Sequence, residues 1–213
     1  MTGVRFGIVG CGSISEQHAR AIGLIEGASV TAACSRTPEK SRAFAATFHC
    51  EAVDSLDALV RRPDVDAVVI GTPSGQHADQ GIMAARAGKH VVVEKPVDVT
   101  LAKADALIVA CASAGVRLAV ISQFRFLDAV QQVRAAVIAG RFGRLTMGSA
   151  YIKWFRPQSY YDSAAWRGTV ALDGGGCLIN QGIHAIDQLQ YLFGPVRAVR
   201  AATATLAHAI EVN

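Results

Sequence analysis

The stretch GIVGCGSIS, residues 7–15, decides how the rest of the chain is read. A short apolar run, Val4–Gly10, enters a glycine-rich turn, and helical periodicity follows over 13–25. Gly10-Cys11-Gly12-Ser13-Ile14-Ser15 therefore lies at a strand-to-helix junction and matches G-x-G-x-x-G/A with serine in the third small position. Gly10 permits the tight turn, Gly12 lets backbone N–H groups approach a pyrophosphate, and Ser15 lets the helix lie close to the strand. The helix N-terminus adds orphan donors and partial positive charge. A dinucleotide site is expected, with Gly10, Gly12, Ser13 and Ile14 on the cofactor. A ligand-free glycine turn is the bland alternative.

Outward from this turn, apolar runs alternate with helical stretches. Strands are expected at 29–34, 52–53, 67–71, 90–94 and 117–121, and helices at 38–48, 56–61 (capped by Asp54), 76–87 and 101–114. Strands apolar on both faces, joined by helices, imply a doubly wound parallel sheet. This α/β Rossmann pattern covers residues 1–122. Its character then changes. A helix is expected at 127–139, a long strand at 145–155, an irregular Tyr/Trp/Arg loop at 156–172, a long helix at 174–193 and an alternating strand at 196–209. Residues 123–213 thus read as an α+β domain with a mostly antiparallel open sheet. Two long strands are too few to stand alone, so the domain reads as truncated.

The 213 residues are 51% hydrophobic and carry a net charge of +4. The surplus lies wholly after residue 122, where 9 Lys/Arg face 5 Asp/Glu. Those cations are dispersed rather than striped, which argues against nucleic acid and leaves room for an anionic or sugar-like ligand. Five cysteines without a C-x-x-C pair read as reduced thiols, and no basic-then-apolar leader opens the chain; a cytoplasmic location is expected. No apolar run nears the ~20 residues of a membrane span, and no histidines pair at metal-ligand spacing.

The end of the second strand indicates which dinucleotide binds. NAD sites place an acid there for the ribose hydroxyls; this chain has Cys34-Ser35-Arg36-Thr37, with no acid before Glu39. Arg36 and Ser35 suit a 2′-phosphate, so NADP is expected, with NAD possible. Beyond the carboxyl ends of the fourth and fifth strands, Thr72, Pro73, His77, Glu94 and Lys95 are further cofactor-binding candidates. Lys95, in Glu94-Lys95-Pro96, is placed to reach the nicotinamide side of the cleft, and its bond to Pro96 is a candidate cis peptide.

Gly10-Cys11-Gly12, Glu94-Lys95-Pro96, QFRF at 123–126 and GGGCLINQGIHAID at 174–187 occur in order. Together they resemble the family of glucose–fructose oxidoreductase, inositol dehydrogenase and MocA. The resemblance implies a Rossmann domain followed by an open-sheet α+β domain, and NAD(P)-dependent oxidation of sugars or polyols. It also implies a homodimer or homotetramer built through that sheet. Lys95 matches the family's active-site lysine and His184 its catalytic histidine; either is a candidate acid/base. Asn180 stands where the family often has aspartate. Asn180 and His184 would share a helix face, Asn180 holding a substrate hydroxyl and Asp187 orienting the imidazole. Asp173 reads as a cap or turn residue. Arg125, Lys153, Tyr161 and Trp166 are candidate substrate contacts, with Tyr160 and Arg167 beside them. A protein that binds NADP without turnover is the alternative function.

Overall fold

The computed structural model describes residues 3–212. The chain divides into two compact units, one ending at Ile121 and the other beginning at Ser122; the outermost residues of the domains expected from sequence, Met1, Thr2 and Asn213, lie outside the described residues.

The first unit is a six-stranded parallel sheet. Strands β1 (Val4–Val9), β2 (Ala28–Cys34), β3 (Glu51–Ala52), β4 (Ala67–Ile70), β5 (His90–Val93) and β6 (Leu118–Val120) take the order β3-β2-β1-β4-β5-β6. Five helices connect them: α1 (Ser13–Gly23), α2 (Pro38–Phe48), α3 (Leu56–Val60), α4 (His77–Arg86) and α5 (Leu101–Ser113). The period of two along a strand sends alternate side chains to opposite layers. Val68 and Ile70 join a core with α3, α4 and α5 through Leu59, Ala84, Leu107 and Cys111. Val69 and Ile8 join a second core with α1 and α2 through Ala19, Ile22 and Phe44. The sheet is therefore covered on both faces, as its apolar strands require. The strand order reverses between β1 and β4, which opens a crevice at their carboxyl ends.

Local chemistry sets most helix ends. Pro38 occupies the first turn of α2, and Thr100 Oγ1 accepts from Lys103 N at 3.3 Å to cap α5. The cap of α3 is Ser55, whose Oγ accepts from Ala58 N at 3.1 Å, not Asp54. Ser55 stands three residues before the donor, the spacing a cap needs.

The second unit contains α6 (Asp128–Ile138), α7 (Gln158–Asp162) and α8 (Ile183–Phe193), with α6 packed on α8. Residues 178–182, ahead of α8, form a π-helical turn. The expected strands at 145–155 and 196–209 are not formed: among the described residues of this unit, no strand ladder occurs. A strand exists through its ladder partner, and these two segments do not pair with each other. Both keep large exposed apolar side chains, including Met147, Tyr151, Phe155, Val199 and Leu206. Among the described residues, no helix is long and apolar enough to cross a membrane.

Candidate active site

Gly10 ends β1 with φ +85°, and its N–H donates to Cys34 O at 2.8 Å. A Cβ there would lie 2.8 Å from Gly71 O, so the turn tolerates only glycine. Gly12 differs. Its backbone is extended, and a Cβ would meet no atom of the chain within 4 Å. The fold itself does not require glycine at 12; the room beside it suits a group brought in from outside. Gly12 begins α1, no side chain caps the helix there, and Ser13 is exposed. The first-turn N–H groups are the donors an anion would take. Ser15 is fully buried with no hydrogen-bond partner for its Oγ, and a Cβ on Gly71 would sit 2.4 Å from that oxygen. The bulk of serine in the third position is thus matched by a glycine after β4, a partner invisible in the motif. These residues fit a dinucleotide pyrophosphate.

At the end of β2, Ser35 Oγ donates to Thr37 O at 2.7 Å and accepts from Ser41 Oγ at 3.1 Å, while Arg36 is exposed. Cys11 donates its thiol to Cys34 O at 3.6 Å. Burial raises the Cys11 thiol, with Ser41 and Ser35 opposing, and pushes Cys34 up to about 12. Both therefore remain neutral thiols beside the phosphate turn, adding no negative charge that would repel a phosphate.

The carboxyl ends of β4 and β5 are joined by polar side chains. His77 is buried, its Nδ1 at 2.7 Å from Pro96 O and its Nε2 at 2.9 Å from Thr72 O. Its imidazole therefore ties together the two loops that carry Thr72-Pro73 and Lys95-Pro96 and is committed to the fold, rather than being presented to a cofactor. Thr72 Oγ1 donates to Gln80 at 2.7 Å. Buried Asp98 accepts from Ala78 N at 3.0 Å and Val99 N at 2.7 Å, fixing the same loop to the start of α4. Glu94 is also buried: Oε1 is 2.8 Å from His18 Nε2, and Oε2 accepts from Lys95 N at 3.1 Å. Glu94 is thus an anchor of the lysine turn rather than an exposed ligand group. His18, one helical turn after Ser15, went unremarked in the sequence, although the i,i+3 spacing puts both on one face of α1. Lys95 is half-buried, and its bond to Pro96 is cis.

In the second unit, the π turn at 178–182 changes the spacing from Asn180 to His184, which is not the regular α-helical i,i+4 relation expected from sequence. Asn180 Nδ2 donates to Asp173 Oδ1 at 3.2 Å, and Gly168 N donates to Asp173 Oδ2 at 2.8 Å. Asp173 is 2% exposed. It is more than a turn residue: its carboxylate sets the orientation of the Asn180 amide. His184 lies against Phe124, with ring centroids 4.6 Å apart. Asp187 is held by both arms of Arg125, at 2.8 Å from Nε and 2.6 Å from Nη2. The sequence reading gave Asp187 to the imidazole and Arg125 to the substrate; the two also pair with each other, which locks the QFRF segment onto α8. Lys153 is exposed, with Nζ 5.9 Å from the Tyr151 ring centroid. Tyr161 and Trp166 are half-buried in the loop around Tyr160. Among the described residues, no group of three or more His, Cys, Asp or Glu could hold a metal ion.

Comparison with known proteins agrees with this geometry. Residues 4–122 match the oxidoreductase family with an NAD-binding Rossmann fold, and residues 130–213 match the GFO/IDH/MocA C-terminal domain. Inositol 2-dehydrogenase of Rhizobium meliloti is 32% identical over 203 residues, which are 95% of this chain and 59% of that protein. The WlbA dehydrogenase of Bordetella pertussis, solved with NADH and UDP-GlcNAcA, is 43% identical with a TM-score of 0.95. That match covers 99% of this chain and 61% of WlbA. KijD10, a 3-ketoreductase of Actinomadura kijaniata solved with NADP and TDP-benzene, is 28% identical with a TM-score of 0.75, over 90% of this chain and 55% of that one. The chain thus spans between about half and three-fifths of the length of these relatives. A glycine turn at the switch point of a 3-2-1-4-5-6 sheet, an EKP turn after β5 and both halves of the family pattern lead to one conclusion: the chain belongs to the GFO/IDH/MocA oxidoreductase family.

Proposed function

We propose that the protein catalyses reversible NAD(P)-dependent oxidation of a secondary alcohol to a ketone on a sugar, polyol or related compound. The observation that carries this reading is the space beside Gly12 at the start of α1, shaped by glycines of which only one is demanded by the chain itself. Gly10, Gly12, Ser13 and Ile14 hold the pyrophosphate, and Thr72 and Pro73 border it. The bound nicotinamide supplies the two-electron acceptor or donor. Lys95 holds the substrate oxygen and stabilises negative charge growing there; His184 takes the hydroxyl proton on an imidazole nitrogen. Asn180, oriented by Asp173, holds a neighbouring hydroxyl. Arg36 and Ser35 favour NADP, with NAD accepted. The UDP-GlcNAcA found in WlbA makes a nucleotide-linked sugar the first substrate to test. The segments 145–155 and 196–209 supply strands to a sheet through which the protein forms a homodimer or homotetramer, supported by their exposed apolar side chains. The cytoplasm is the proposed location, since the five cysteines are free thiols.

The test is Lys95→Ala. Cofactor affinity should persist while kcat falls by about a hundredfold or more, the scale of losing one charged donor to a developing oxyanion. Near-normal turnover would reject the assignment. NAD binding at least as tightly as NADP in paired titrations would reject the preference given to Arg36.

A further inference from the structure

We propose that Arg156 and Arg167, gathered on the ring of Tyr160, form a binding site for the acidic group of the substrate: a carboxylate on the sugar or a phosphate linked to it. The proposal deepens the sugar oxidoreductase reading and rests on it.

The guanidinium carbon of Arg167 is 4.1 Å from the Tyr160 ring centroid and that of Arg156 is 4.9 Å; Arg167 also lies 4.8 Å from the Trp166 ring. Among the described residues, three buried side-chain polar atoms lack a hydrogen-bond partner, and two of them are Nε of Arg156 and Nε of Arg167. Aromatic faces attract these cations but carry no net charge to neutralise them. Arginine cannot escape by losing its proton, and each buried Nε–H without a partner keeps its desolvation cost until an acceptor joins it.

The carboxylates nearby accept from neutral donors, and none is within ion-pair distance of either guanidinium. Asp173 accepts from Gly168 N and Asn180, Glu211 from Val170 N at 2.9 Å, and Asp162 from Gln158 at 3.0 Å. Neither arginine forms an ion pair with a described carboxylate. The other titratable groups of the cluster are Cys177 and Tyr161, the latter edge-on to Tyr160 at 5.2 Å, and His208, 5.1 Å from Tyr161, with Nε2 2.6 Å from Arg156 O. None of these supplies a negative charge near neutrality. Guanidinium forks match planar carboxylates and phosphate oxygens, which a sugar hydroxyl does not require.

Calorimetric titration, with and without NADP, of UDP-glucose, glucuronic acid and UDP-glucuronic acid tests this. The first carries only phosphate, the second only carboxylate, the third both. Wild type should bind at least one acidic probe, and the pattern names the acid recognised. Arg156→Gln and Arg167→Gln should each weaken that binding by about tenfold to a hundredfold, the range of one charge-assisted hydrogen bond, with NADP affinity and melting temperature unchanged. Equal binding of every acidic probe by wild type and both variants overturns the proposal. So does wild type that binds NADP and oxidises neutral myo-inositol yet binds no acidic probe; that result leaves the oxidoreductase reading standing. Wild type that binds an acidic probe but no dinucleotide keeps the anion site and removes the oxidoreductase reading. Should a variant fail to fold, competition of inorganic phosphate and glucuronic acid against UDP-glucuronic acid on wild type decides: displacement by neither overturns the site.

Discussion

At the carboxyl end of the parallel sheet, Glu94 lies buried with His18 on one oxygen and the Lys95 amide on the other; around Tyr160, two guanidinium groups meet no carboxylate. Both regions bury polar atoms of charged side chains, and they satisfy them differently. The sheet end is closed within the chain: His77 joins two loops through two carbonyls, Asp98 caps α4, and Glu94 pins the turn that presents Lys95. Nothing from outside is needed to hold it. The Tyr160 loop has polarity left over. A scaffold must be rigid before its ligand arrives, whereas a recognition surface stores unmet bonding capacity for the ligand to satisfy.

Removing one member of the closed network should therefore have the largest effect. His18→Ala removes the imidazole from the buried Glu94 carboxylate, and global stability should fall by about 3 kcal/mol or more, read by denaturant unfolding. His18→Gln retains an N–H at a similar reach and should recover much of that loss. An unchanged unfolding midpoint for His18→Ala would show that the sheet end does not depend on this pair, and the contrast between the regions would fail.

Next in size is the contrast inside the glycine turn. Gly10→Ala forces a Cβ against Gly71 O at a positive φ and should lower both stability and cofactor affinity. Gly12→Ala should leave the melting temperature nearly unchanged and weaken the dinucleotide by about tenfold, or ~1.4 kcal/mol, in a fluorescence titration. Equal thermal losses for both variants would show that Gly12 serves the fold after all.

The smallest effect belongs to an ion pair at the opposite end of the sheet. Arg5 grips Asp66 through Nε at 2.9 Å and Nη2 at 2.8 Å and lowers its carboxyl to about 2. A depressed acid contributes stability that is present above the ordinary carboxylate value and lost as pH falls through about 2. Both side chains are more than one-third exposed, so the contribution is modest. Asp66→Asn should flatten the fall in melting temperature between pH 4 and pH 2, slightly. A slope identical to wild type would place the acid sensitivity elsewhere.

Much of the first unit could be read from local pattern. The strand at 67–70 is apolar on both faces because helices cover both faces, and Pro38 and Thr100 mark helix starts by their own backbone chemistry. The second unit resisted that reading for a physical reason. The alternation at 145–155 and 196–209 records a preference for sheet, and a preference becomes a strand only when another strand supplies the ladder. The helix expected over 174–193 contains a π turn at Asn180, which no periodicity announces. Asp187 was assigned to the imidazole and Arg125 to the substrate, and their pairing went unread because sequence shows a charge but not its nearest opposite charge.

The order of the residues alone determined the glycine turn, the parallel sheet, the EKP lysine and the basic surplus of the second half, since each rests on spacing along the chain or on composition. Tertiary structure alone decided that Gly71 makes room for Ser15, that His18 holds Glu94, that Asp173 turns the Asn180 amide, and that two arginines of one loop share one tyrosine ring. The first two are contacts between residues more than fifty positions apart and the last two span only four to seven, yet in all of them burial and pairing are settled only after the backbone has brought the groups within a few ångströms of one another.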